Sequence, residues 1–69
     1  MIQTEKHGMI EPRVGDVVDT HLDGLPPLKV RGFHGTKIVD NFGDRIESSH
    51  CTLLHRPDAP EYDHSEWEG

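Results

Sequence analysis

Between residues 28 and 33 the chain reads Leu-Lys-Val-Arg-Gly-Phe, alternating apolar and basic positions with the period of two that marks a strand with one wet face. The tight link His34-Gly35-Thr36 leads to a second candidate strand, Lys37-Ile38-Val39-Asp40-Asn41-Phe42, and Gly43-Asp44 then reverses the chain into Arg45-Ile46-Glu47. Upstream, Arg13-Val14-Gly15-Asp16-Val17-Val18-Asp19 is rich in β-branched residues and predicts a strand entered through a Gly-Asp bend. Residues 19–27 read as a loop, because Asp23-Gly24 and the pair Pro26-Pro27 deny the backbone both a ladder and a helix. Ser48-Ser49-His50 suits one 3₁₀ turn before a last short strand, Cys51-Thr52-Leu53-Leu54-His55. Pro57 and Pro60 end the regular part, and no stretch sustains an apolar helical stripe. Residues 1–12 show neither period and are read as a flexible N-terminal arm, with a short extended piece at Met9-Ile10.

Five short strands joined by tight turns within residues 13–56 predict an all-β domain, either a small five-stranded barrel or a strongly bent antiparallel sheet with flexible termini. Closure is favoured because it covers edges that strands this short would leave open. The candidate interior is Val14, Val17, Val18, Leu22, Leu25, Leu28, Val30, Phe33, Ile38, Val39, Phe42, Ile46, Leu53 and Leu54. This core is lean, so a partner chain, a ligand or an oligomer is expected to add stability.

Val14-Gly15-Asp16-Val17-Val18, a Pro-containing loop, Leu28-Lys29-Val30, a hairpin through Gly35, Ile38-Val39, the turn Phe42-Gly43-Asp44 and the closing Leu53-Leu54 together resemble the small SH3-like barrels that open with a Val-Gly-Asp-Val-Val strand. The resemblance spans residues 13–56. Such modules occur in uncharacterised bacterial families, in ribosome- and transcription-associated proteins and in chromatin readers. It implies a barrel that binds RNA or peptides through basic or aromatic residues in its loops. The corresponding loops here offer His34 and Lys37, without a Tyr or Trp cluster.

Charge divides the chain. The 69 residues carry a net charge of −6, and residues 57–69, an acidic C-terminal tail, hold Asp58, Glu61, Asp63, Glu66 and Glu68 against no Lys or Arg. From residue 29 to residue 56 the balance turns basic, with Lys29, Arg31, Lys37, Arg45 and Arg56 against Asp40, Asp44 and Glu47. Cys51 is the single cysteine, which excludes an intrachain disulfide and fits a reducing compartment. No apolar run approaches the roughly 20 residues of a membrane span, and the first eight residues lack the basic and apolar regions of a signal peptide. A cytoplasmic protein with no membrane partner is the expectation.

The candidate chemistry is thin. His50, Cys51, His55 and His64 are ligand types that zinc accepts, but His50 and Cys51 are adjacent and no Cys-x₂-Cys pair exists, so neither a metal nor another cofactor is expected. The same adjacency denies Cys51 an activating base, and the spacing of Asp16, Asp19 and Asp23 is that of turns rather than of a calcium loop. No enzyme is expected.

Binding remains. Tyr62 and Trp67 among Glu61, Asp63 and Glu66 compose a short segment suited to ordering against a basic protein surface. The leading expectation is therefore a protein-interaction module that docks on a larger protein or assembly with a basic surface, as a regulator, inhibitor or accessory subunit. The alternatives are an RNA- or DNA-binding barrel using Lys29, Arg31, Lys37 and Arg45, and a structural subunit of a complex. The sequence counts against nucleic acid in two ways. Phe33 and Phe42 are assigned to the core, leaving no stacking aromatic in the body, and an acidic tail folded onto the basic strands would compete with phosphate.

Overall fold

A computed structural model describes residues 1–67. It contains eight short strands in two sheets, and no helix longer than a single 3₁₀ turn among the described residues. In chain order the strands are β1 (Ile2–Gln3), β2 (Met9–Ile10), β3 (Val17–Asp19), β4 (Leu28–Lys29), β5 (Gly32–His34), β6 (Lys37–Val39), β7 (Arg45–Glu47) and β8 (Thr52–His55). The 3₁₀ turns are Ser48–His50 and Pro60–Tyr62. The larger sheet has the order β2-β1-β8-β3-β4 and the smaller the order β5-β6-β7, and no closed barrel is found among the described residues. The pairing is antiparallel except between β1 and β8, which run parallel through Gln3 and Thr52.

The alternating run at residues 28–33 divides between the two sheets. Val30 still pairs with the β3 side, donating to the Asp16 carbonyl at 2.8 Å, whereas the Arg31 N–H turns to the Val39 carbonyl of the smaller sheet at 2.8 Å. One expected strand thus becomes β4 and β5, and the crossing between them joins the sheets. Two turns have readable causes. Gly35 (φ +64°) opens the two-residue β5–β6 loop, where only glycine takes a positive φ without strain. Gly15 (φ +99°) sits in a turn closed by the Asp16 N–H and the Arg13 carbonyl at 3.1 Å, the position at which a type II turn needs a positive φ.

Ile2, Val18, Leu28, Val30, Ile38, Cys51 and Leu53 form the buried core, with Ile10, Ile46 and Tyr62 packed against it. Residues 1–12, read above as an arm, therefore supply a core side chain and two strands. The extended piece expected at Met9-Ile10 is β2, whereas the two-residue β1 is too short to carry a period and has no such cue. Five residues assigned to the interior are corrected: Val14, Leu22, Leu25, Phe33 and Phe42 are all exposed. Val14 occupies the bend before β3, and Leu22 and Leu25 lie in the proline-containing loop.

Phe42 is displaced by the chemistry of its own turn. Asp40 accepts hydrogen bonds at Oδ1 from the Phe42 N–H (2.7 Å) and the Asp44 N–H (2.9 Å), and its carbonyl accepts from Gly43 at 3.2 Å. That side-chain clamp, with Gly43 at φ +85°, ends β6 at Val39 and makes residues 41–43 a loop with Phe42 at its centre.

Candidate functional site

The segment after β8 is built around Arg56. Its guanidinium is turned inward and donates from Nε to Asp16 Oδ1 (2.9 Å), and from one terminal nitrogen to Asp16 Oδ2 (2.9 Å) and the Glu11 carbonyl (2.9 Å). Both charged residues are nearly sealed from water, Asp16 at 1 % and Arg56 at 3 % exposure. The Arg13 N–H completes the coordination of Asp16 at 2.8 Å. Three chain segments are tied at one point, and the bidentate geometry with neutral donors around it makes the buried pair tolerable.

The tail then folds over this knot. Ala59 is buried, the Pro60–Tyr62 turn brings the Tyr62 ring to 5.2 Å from the Arg56 guanidinium, and the His7 ring meets Tyr62 edge-on at 5.0 Å. Asp63 accepts from the Arg56 N–H at 3.0 Å and faces His55 Nδ1 at 3.0 Å. Desolvation pushes the Asp63 carboxyl up, but these two contacts outweigh it and hold its pKa below the ordinary value. The His64 N–H bonds the Leu54 carbonyl at 2.8 Å, and Glu5 accepts from the Ser65 N–H, which lowers the Glu5 pKa. Trp67 stacks on His55 with ring centres 5.5 Å apart.

These contacts relocate the residues expected to bind a partner. Tyr62, Asp63 and Trp67 are engaged within the molecule, and the Glu61 carbonyl contacts His7 Nε2 at 3.2 Å. The side chains of Glu61 and Glu66 face water. The tail lies on β8 and the N-terminal hairpin, and Asp58 near its start reaches Arg13 at 3.7 Å.

The four basic residues remain exposed, and none has a carboxylate within 4 Å among the described residues. They form two groups. Lys29, on edge strand β4, and Arg31, at the crossing, line one groove of about 490 Å³ together with Val14, Val30 and Asn41. Lys37 and Arg45 share the face of the smaller sheet opposite Ile38, where Lys37 lies across from Glu47 and His34, and Arg45 from Val39. Lys37 also borders a second groove of about 430 Å³, whose apolar wall is Met1, Pro12, Phe33 and Ile38.

Nucleophile-like constellations fare differently. Cys51 is sealed in the core, its Sγ 3.6 Å from the Glu47 carbonyl, and burial, followed by the charge of Asp19, pushes its pKa to about 11. Thr52 Oγ1, His21 and Asp19 come closest to a triad: His21 Nε2 is 2.8 Å from the hydroxyl. The other imidazole nitrogen is 3.6 Å from the Asp19 carboxylate, beyond hydrogen-bond reach, and neither groove includes these residues. The positive φ of His21 (+61°) has a local cause, since its N–H bonds the Asp19 side chain at 2.9 Å. No group of three or more His, Cys, Asp or Glu suited to a metal occurs among the described residues.

Sequence reasoning assigned Phe33, Phe42 and Val14 to the core and did not single out Asn41, and all four are exposed. For the turn a signal existed: Asp-Asn-Phe-Gly-Asp has four turn-forming residues around one aromatic. No helix is long and apolar enough to cross a membrane among the described residues. The chain matches no family model, no curated protein and no solved structure.

Proposed function

We propose that the protein is a docking module that binds a larger protein or assembly and acts on it as a regulator, inhibitor or accessory subunit. The observation that carries this reading is the groove where Met1, Pro12, Phe33 and Ile38 meet. Phe33 is 47 % exposed although it stands opposite Ile38 in the sheet. An apolar wall bordered by Lys37 and Glu11 has the make-up of an interface centre, where one apolar side chain of a partner is desolvated inside a polar rim. Exposed Leu22 and Leu25 add apolar area elsewhere on the surface. The recognition role moves from the tail, which is spent on intramolecular contacts, to this groove. As scaffold, we propose an SH3-like arrangement of two bent sheets that do not close into a full barrel. Its support is the Val14-Gly15-Asp16 bend into β3, the hairpins through Gly35 and Gly43, and the chain crossing at residues 30–31.

The test is affinity capture from nuclease-treated lysate, followed by binding of the purified captured protein to three forms of this one. The wild type and Glu66→Gln should bind alike, and Phe33→Ser should bind at least about tenfold more weakly, as expected for truncation of an interface anchor. Equal binding of all three forms would refute the groove as the docking site, and capture lost to nuclease would refute a protein partner.

A further inference from the structure

We propose a second binding site: the groove between Lys29 and Arg31, whose lining residue Asn41 is followed in the chain by the exposed Phe42, takes a single-stranded nucleic acid. Three observations converge on it. Lys29, Val30 and Arg31 line the groove with Val14 and Asn41, and no carboxylate lies within 4 Å of either base among the described residues. The next residue after Asn41, Phe42, is 70 % exposed, the most open of the large apolar side chains. Finally, the acidic tail is fastened to β8 and the N-terminal hairpin by Asp63, His64 and Ser65 and to Arg13 by Asp58, while Lys29 and Arg31 stay exposed.

The two features that counted against nucleic acid in the sequence are thereby absent from the structure. An exposed aromatic follows the groove residue Asn41, in a turn held by the Asp40 clamp rather than sunk in the core. Single strands are bound by that pairing of side chains: cations track the phosphates, an aromatic face stacks a base, and sequence matters little. Asn41 adds an amide that can donate to and accept from a base edge. A duplex is the poorer fit, because its bases are already stacked and unavailable to Phe42.

The net charge of −6 opposes a polyanion only at long range. At about 0.1 M salt the Debye length is about 10 Å, shorter than the molecule's extents of 27, 24 and 18 Å, so a ligand at the groove senses the local bases.

Fluorescence anisotropy of labelled oligo(dT) and oligo(U) strands against the intact protein, starting near 0.1 M salt, tests the proposal. Binding should be salt-dependent, and the Lys29→Ala/Arg31→Ala variant should lower the slope of log K against log salt by about 1.4. Phe42→Ala should weaken binding roughly 5- to 150-fold. Lys6→Ala, which removes one positive charge from the N-terminal hairpin, should change little. All substituted side chains are exposed, and circular dichroism verifies that each variant folds. The proposal fails if neither strand binds, or if Phe42→Ala binds as the wild type does. It also fails if Lys6→Ala costs half or more of what the Lys29→Ala/Arg31→Ala variant costs in log K. Displacement of the strand by poly-glutamate together with indifference to Phe42→Ala would instead identify an acidic protein as the ligand of this face.

Discussion

Replacing Arg56 by Met should remove a third or more of the protein's stability. The guanidinium is 3 % exposed and makes two bonds to Asp16 and one to the Glu11 carbonyl, so its loss leaves the Asp16 carboxylate buried without a countercharge and Glu11 without a donor. Breaking a buried pair in this way costs about 3–5 kcal/mol. A chain of 69 residues has about 3–10 kcal/mol in total at the usual 0.05–0.15 kcal/mol per residue. Urea unfolding followed both by Trp67 emission, the single tryptophan, and by circular dichroism would measure the loss. Asp16→Asn should cost a similar amount, because the buried guanidinium then lacks its anion. The double variant should cost well under the sum, since each change removes the charge that the other strands. An Arg56→Met loss below about 1 kcal/mol, or strict additivity in the cycle, would refute the assignment of the pair as the knot of the fold.

Three further outcomes follow from the same geometry. The folded-state pKa of Asp63 lies below its ordinary value of 3.8, so its contribution is complete above that value and is lost as pH falls through the lower folded one. Asp63→Asn should therefore be less stable than the wild type at neutral pH and flatten the decline in stability in acid, as read by urea midpoints across pH 2 to 6. Cys51, buried and with its pKa near 11, should react with an aromatic disulfide reagent at pH 8 far more slowly in the native state than in denaturant. Gly35→Ala should lower stability by about 1–2 kcal/mol, because φ of +64° strains any residue with a Cβ, even though the space beside it is open.

The legible parts of the fold were those written in local chemistry. Gly15-Asp16 did mark a bend before β3, β7 falls on Arg45-Ile46-Glu47, and Ser48-Ser49-His50 did form a 3₁₀ turn. The illegible parts depend on partners far along the chain. Nothing near Arg56 announces a bond to Asp16, and nothing near Ile2 announces burial beside Cys51 and Leu53. Hydrophobicity alone misplaced Phe42, because an Asp side chain that caps its own turn outweighs the gain from burying one ring. The bases Lys29, Arg31, Lys37 and Arg45 were read as exposed and are so, but the break at Val30 separates them into two groups that strand periodicity would have kept on one face.

The tail is part of the folded body, and the proposed recognition surfaces are those around Phe33 and Phe42. Amide hydrogen exchange measured by NMR on His64, Ser65 and Trp67 tests this most directly. Their N–H groups are bonded to Leu54, Glu5 and His64. Exchange slowed at least about tenfold against random-coil rates is the predicted result, and random-coil exchange at all three would return the tail to the list of free binding segments and contradict the account.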